Sequence, residues 1–256
     1  MSVKKTVLVT GAARGIGLET ARRFLAAGWR VAMLDLREGD LARAAHGFGS
    51  DQVLAIPGDV SNPQQAPAAV AAAAGIFGRL DALVNNAGIA DFGPIETTDF
   101  EVWRRIMATN LDGPFLMTQA AIPHLRAAGG GAIVNVTSIS GLRASTLRTA
   151  YGTSKAALAH LTLQQAAELG EHGIRVNAVA PGPVETEMAK KVHSPAIRAA
   201  YHDAIPLNRY GTEAEIAQAI RWLCSAEASY VTGQILAVDG GFQGVGIGLP
   251  ALRRGE

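Results

Sequence analysis

Cysteine is almost missing from this chain of 256 residues, with Cys224 standing alone. That excludes an internal disulfide and a cysteine metal cluster, and it fits a reducing, cytoplasmic setting. An imbalance of charge is lacking as well. Lys and Arg number 23 against 22 Asp and Glu, a net charge of +1, so no long-range field draws the chain to nucleic acid or to a membrane surface. A phosphate ligand would need a local device. His46, His124, His160, His172, His193 and His202 never form HExxH, and no metal is expected. The five-residue apolar run before Gly11 is too short for a signal-peptide core. The charge-free stretch "APAAVAAAAGIFG" at 66–78 is too short and too weakly apolar for a membrane span, so a soluble protein is expected. The G-x-S-x-G elbow of a serine hydrolase is absent. No linker, repeat or low-complexity tract divides the chain, which reads as one domain over 1–256.

What is present is a globular composition, 48% hydrophobic and 18% charged, enough for a substantial core. Short apolar runs alternate with helical patterns from end to end: "TVLVT" (6–10), "RVAML" (30–34), "QVLAI" (52–56), "LDALVNN" (80–86), "GAIVNV" (131–136), "IRVNAVA" (174–180) and "QILAVD" (234–239). Runs of continuous apolar character suit parallel strands covered on both faces. Strand and helix in alternation imply right-handed crossovers, hence an α/β fold with a doubly wound parallel sheet of about seven strands. Capping boxes are expected at Ser61-x-x-Gln64, Thr98-x-x-Glu101 and Thr212-x-x-Glu215. A long helix from near Asp99 is expected to stop at the "GGG" of 129–131. The tail at 243–256 is expected either to fray or to lie against another subunit.

The first strand runs straight into "TGAARGIG" (10–17) and then into a helix. Gly11, Gly15 and Gly17 at such a junction let backbone approach a pyrophosphate, while the helix N-terminus supplies N–H groups and positive dipole charge. The second strand ends at Asp35, 18 positions after Gly17. An acid there suits the adenosine ribose hydroxyls and repels a 2′-phosphate, which argues for NAD over NADP. Arg14, inside the loop, pulls toward the phosphate.

The stretch "TAYGTSKAAL" (149–158) puts Tyr151 and Lys155 on one helical face. Tyrosine ionises near pH 10, and lowering that by about 3 units needs roughly 4 kcal/mol. One unit charge at about 4 Å in an effective dielectric near 20 supplies a similar amount. Lys155 is therefore expected to bring the phenol into the range of a working general base.

Taken together, "TGAARGIG", "DV" (59–60), "NNAG" (85–88), Asn110, Ser138, Tyr151, Lys155 and "PGPVET" (181–186), in that order over nearly the whole chain, resemble the short-chain dehydrogenase/reductase family. The thirteen residues from Ser138 to Tyr151 also match. The resemblance implies a Rossmann fold and a catalytic set of Asn110, Ser138, Tyr151 and Lys155, with Lys155 on the nicotinamide ribose and Asn110 fixing a relay water. It implies cofactor contacts at Gly11, Arg14, Gly15, Ile16, Gly17, Asp35, Asp59, Val60, Asn86, Ala87, Gly88, Tyr151, Lys155, Pro181, Gly182, Val184 and Thr186. Ser138, Ser140 and Tyr151 would line the substrate pocket, under a lid at about 184–210 that holds Glu185, Met188, His193 and Tyr201. A homotetramer through helices near 99–128 and 151–170 and the last strand is implied as well.

Arg143 and Arg148 suit either a polar or anionic substrate or a solvated loop. The leading expectation is an NAD-dependent dehydrogenase of a secondary alcohol such as a sugar or polyol, giving the ketone or lactone. A 3-oxoacyl-carrier-protein reductase using NADPH is the alternative among enzymes. A nucleotide-binding sensor or scaffold without turnover is the alternative of another class.

Overall fold

A computed structural model describes residues 4–49, 51–187, 189, 193–245 and 254–255. Seven strands form one sheet: β1 (Thr6–Thr10), β2 (Arg30–Asp35), β3 (Val53–Pro57), β4 (Ala82–Asn85), β5 (Gly131–Val136), β6 (Ile174–Pro181) and β7 (Ile235–Val238). All neighbours are parallel, in the order β3-β2-β1-β4-β5-β6-β7. The apolar runs explain this, because every residue of β1 and β4 is buried and a strand covered on both faces has no polar side to alternate. At the edge, β3 is only partly buried. The chain winds outward from β1 to β3, then returns to β4 on the other side of β1. This reversal opens a crevice at the carboxyl ends of β1 and β4, where α/β sheets bind ligands.

Helices α1 (Gly15–Ala26), α2 (Glu38–His46), α3 (Gln65–Phe77), α4 (Phe100–Met107), α5 (Gly113–Ala127), α6 (Thr149–Leu169), α7 (Pro195–Ala204) and α8 (Glu213–Cys224) follow the strands. One buried cluster joins Val7, Val9, Phe24, Val84 and Val134 with Ile216 and Ile220 of α8. A second joins Leu8, Leu34, Leu83 and Ile133 with Met117 and Leu125 of α5. Side chains of this size contribute about 1.5–3 kcal/mol each on burial, so the two faces together anchor the crevice.

The expected box at Thr212 forms in full, with Thr212 Oγ1 accepting from Glu215 N and the Glu215 carboxylate accepting from Thr212 N. The other two do not form. Asp99 caps α4 by accepting from Glu101 N at 2.8 Å, while Thr98 Oγ1 turns back to donate to Pro94 O. Asn62 Oδ1 accepts from Gln64 N and Gln65 N, because Ser61 is engaged with Asp59. Both corrections have one cause, a neighbouring carboxylate or amide that accepts from the open N–H groups while the hydroxyl is engaged elsewhere. The long helix expected from Asp99 is interrupted by a π turn at Ala108–Asp112 between α4 and α5. It does end before the glycines, where Gly129 and Gly130 have φ of +89° and +113°. In the tail, Gln243 N donates to Asp239 Oδ2 and Arg254 pairs with Asp203 of the same chain. Among the described residues no helix is long and apolar enough to cross a membrane.

Candidate active site

The glycine loop and the "NNAG" segment interlock over the crevice. Gly11 has φ +62°, and a Cβ there would lie 2.9 Å from Ala87 Cα. At Gly17 a Cβ would come within 2.1 Å of Gly11 O and 2.5 Å of Asn86 Nδ2, so α1 can approach the loop only without a side chain. Asn86 Nδ2 donates to Thr10 O (2.9 Å) and Gly11 O (3.1 Å), while Thr10 Oγ1 accepts from Asn86 N and Ala87 N. Thr10 is thus a positioning residue that motif reading passed over as the last residue of a strand. The N-terminus of α1 has no side-chain cap at Arg14 and no acid in its first turn, which leaves its first N–H groups, from Gly15 to Gly17, for an anionic ligand.

Asp35 stands beside this loop, its carboxylate accepting from Ala13 N and Arg37 N, both at 3.1 Å. Arg14 is exposed. Asp59 is turned by hydrogen bonds from Ser61 N and Oγ, and buried Val60 abuts Gly113. Pro181 ends β6. Gly182 packs so closely on Asp239 that a Cβ would lie 2.7 Å from its Cα. Val184 bridges to Gly211, and Thr186 N donates to Val184 O. These fit a nicotinamide dinucleotide: an uncapped helix N-terminus, a side-chain-free loop and a carboxylate at the end of the second strand.

The four expected catalytic residues come together where β5, the π turn and α6 meet. Ser138 follows β5, buried, and its Oγ accepts from Ser140 N at 3.1 Å. Tyr151 lies in the first turn of α6. One turn on, Lys155 is 4% exposed and donates from Nζ to Val136 O at 2.8 Å, 5.8 Å from the centroid of the tyrosine ring. Gly88 sits against both Lys155 Nζ and Asn110 Oδ1, and a Cβ there would be 3.3 Å from each.

Two expectations change here. The phenol of Tyr151 is raised above its ordinary value, because burial outweighs the lowering by the Ser138 hydrogen bond and the Arg148 charge. Burial also brings Lys155 down to about 8. A lysine with its own charge disfavoured, facing a carbonyl and 5.8 Å from the ring, does not act as the nearby unit charge assumed from the sequence. Asn110 differs too. Its Nδ2 donates to Ile89 O and Ser154 Oγ while its Oδ1 accepts from Ile89 N, so the side chain ties the loop after "NNAG" to α6 and has no amide proton left for a water. Ser154 completes the tie by donating to Tyr151 O at 2.7 Å. In the sequence Ser154 looked like one more small residue of a helix.

Toward the 184–210 segment, Ser140 Oγ accepts from Arg148 Nη1 at 3.2 Å, and Phe92 makes a T-shaped contact with Tyr151, centroids 6.4 Å apart. His193 stacks on Tyr201 and shares a 2.9 Å hydrogen bond with the Tyr210 hydroxyl, while Glu185 pairs with Arg198. Met188 lies outside the described residues.

Comparison with known proteins identifies the family. A family model described as "Enoyl-(Acyl carrier protein) reductase" matches residues 11–243. The chain is 40% identical to a 2-(R)-hydroxypropyl-CoM dehydrogenase of Xanthobacter autotrophicus, covering 95% of this chain and all of that one. It is 43% identical to a galactitol 2-dehydrogenase (L-tagatose-forming) of Cereibacter sphaeroides, covering 91% and 93%. With a cis-4-hydroxycyclohexanecarboxylate dehydrogenase of Sinomonas cyclohexanicum it shares 41%, covering 94% and 98%. A short-chain type dehydrogenase/reductase from Mycobacterium ulcerans superposes with a TM-score of 0.91 at 33% identity, over 95% of this chain and 91% of that chain.

The chain belongs to the short-chain dehydrogenase/reductase family.

As a short-chain dehydrogenase/reductase it is an oxidoreductase acting on CH–OH and C=O groups. A 3-ketoacyl-(acyl-carrier-protein) reductase from Brucella melitensis, solved with NADH, superposes with a TM-score of 0.88 at 35% identity, over 94% of this chain and 100% of that one.

Proposed function

We propose that the chain is an NAD-dependent dehydrogenase of a secondary alcohol, with Tyr151 as the general base in oxidation and the general acid in reduction. The gathering of buried Ser138 after β5 with Tyr151 and Lys155 on one face of α6, Lys155 held by Val136 O, carries this reading. Ser138 orients the substrate oxygen by hydrogen bonding, and Tyr151 accepts its proton. Lys155, held on Val136 O one turn below the phenol, would grip the nicotinamide ribose. Asn110 and Ser154 hold the helix that presents both, so the reacting groups are placed before substrate arrives.

Bound oxidised nicotinamide accepts the hydride and adds a positive charge beside the phenol. Gly11, Arg14, Gly15, Ile16 and Gly17 would cradle the pyrophosphate, Asp35 the adenosine ribose, and Asp59 with Val60 the adenine. Asn86, Ala87, Gly88, Pro181, Gly182, Val184 and Thr186 would line the nicotinamide side, with Tyr151 and Lys155 on its ribose. The segment 184–210 would cover the substrate, and the working form would be a homotetramer.

Asp35 supports NAD over NADP, since a carboxylate set against the glycine loop by Ala13 N opposes a 2′-phosphate of about −1.5 to −2 charge. The test is kcat/KM with NAD and NADP on a panel of polyols, hydroxy acids and simple secondary alcohols. NAD is expected to win by at least about tenfold, the factor that corresponds to about 1.4 kcal/mol. The solved reductase that superposes on this chain favours one second reading, reduction of a 3-oxoacyl thioester. Faster turnover of acetoacetyl thioester with NADPH than of every alcohol with NAD would replace the first reading by the second.

A further inference from the structure

Resting on the dehydrogenase reading, we propose that Arg148, with the hydroxyls of Ser140 and Tyr201, receives the anionic group of the substrate, so that the enzyme acts on a compact hydroxy acid. Arg148 precedes α6 and is half-buried. Its Nη1 donates to Ser140 Oγ (3.2 Å), its Nη2 donates to Tyr201 Oη (3.4 Å), and its guanidinium lies 4.8 Å over the Phe92 ring. Among the described residues no carboxylate pairs with it. The neighbouring cations are engaged otherwise: Arg198 with Glu185, Arg105 with Asp91, and Arg143 with Phe242 O.

The chemistry of this cluster is one-sided. A guanidinium has five N–H donors and no acceptor, and two are used here on neutral oxygens. Ser140 and Tyr201 accept from Arg148, so each hydroxyl proton remains to be donated elsewhere. Three donors that share a partly desolvated positive charge call for a group that only accepts, and a carboxylate fits the planar fork. The cluster also lies within electrostatic reach of Tyr151, whose phenol it lowers. The Phe92 ring neighbours both, with Arg148 4.8 Å over it and Tyr151 in a T-shaped contact at 6.4 Å. That ring is an apolar wall for the carbons that join carbinol and carboxylate. The geometry therefore favours a small acid whose carbons pack on Phe92, in preference to a polyol.

The test compares 3-hydroxybutyrate and 4-hydroxycyclohexanecarboxylate with their methyl esters, which keep the carbon skeleton and remove the charge. In the wild type, kcat/KM for acid over ester is expected to exceed about tenfold, the scale of hydrogen bonds to a charged group. In Arg148→Gln the ratio is expected to fall to within about threefold of unity, with Arg148→Lys between. Any effect of Arg148 on Tyr151 acts on both substrates and cancels in the ratio. A second measurement needs no turnover: with NADH present, the dissociation constant of cyclohexanecarboxylate, which lacks the reacting hydroxyl, is expected to rise at least about tenfold in Arg148→Gln. A ratio that the substitution leaves unchanged, or carboxylate binding indifferent to it, overturns the proposal. If neither acid nor ester is turned over, the dehydrogenase reading fails, and the carboxylate titration alone decides the anion site.

Discussion

Lys155 is buried and Tyr151 half-buried, and desolvation disfavours the charge of each. For Lys155 this makes a linkage that can be measured. Its folded value is about 8, against 10.5 for an unperturbed lysine. Between those values the unfolded chain holds a proton that the folded chain has released, so stability rises with pH. The wild type is expected to gain about 3 kcal/mol relative to Lys155→Met between pH 8 and pH 10.5, read from denaturant midpoints across that range. A constant difference would mean that Lys155 is not desolvated as the fold implies. Catalysis has the opposite need, because the phenol must ionise although its surroundings raise it. Oxidation of alcohol is therefore expected to climb from pH 7 toward pH 10 while carbonyl reduction, which uses the neutral phenol, declines. Tyr151→Phe is expected to lower kcat by about 10²–10⁴-fold while NADH binding, followed by fluorescence, persists. Substantial remaining turnover would move the acid–base role to another residue.

At the scale of elements, two helix starts show how local chemistry holds the site. In α8 the Thr212 box is reinforced by Arg209, and together they hold the Glu215 carboxyl down to about 2. Thr212→Ala is expected to cost about 1 kcal/mol, seen as a lower thermal midpoint with catalysis intact. At the start of α1, Gly17→Ala has no room for its methyl beside Gly11 O, so cofactor affinity is expected to fall well before the fold is lost; wild-type affinity in this variant would refute the close approach. Element identity was legible throughout, since each apolar run became a strand within two residues of its expected ends. Caps were less so. At 98–99 and 61–62 two adjacent side chains each suit the role, and only the path of the chain, which turns Thr98 toward Pro94 and Ser61 toward Asp59, selects one. The π turn at Asn110 had no local signal either. It follows from the bonds of Asn110 to Ile89 and Ser154, which are remote in sequence.

At the scale of the whole molecule, the sheet brings residues 11–17, 86–88, 138 and 151–155 to one crevice, and motif order was enough to anticipate that gathering. The balance of charge inside it was not, because it depends on how deeply Lys155 is buried and on Arg148, whose partners Ser140 and Tyr201 arrive from different elements. Buried polar residues show the same limit. Asn85, Thr118, Asn135, Thr162 and Gln165 form one network between β4, β5, α5 and α6, and from sequence they were only interruptions in apolar runs. The outer faces of the same helices bear on assembly. Phe100 is 67% exposed, Phe115 48% and Leu163 42%, large apolar groups along α4, α5 and α6 that water solvates poorly and a second copy of the chain would cover. The proposed homotetramer is expected to show in light scattering as about four times the 26.6 kDa chain. Phe115→Glu together with Leu163→Glu would set carboxylates at the centre of that contact in every copy, where each loses solvation and meets its like. The expected product is a smaller species that keeps its secondary structure by circular dichroism. A wild type that elutes as monomer at micromolar concentration, or a double variant still four-fold in mass, would rule out these helices as the interface.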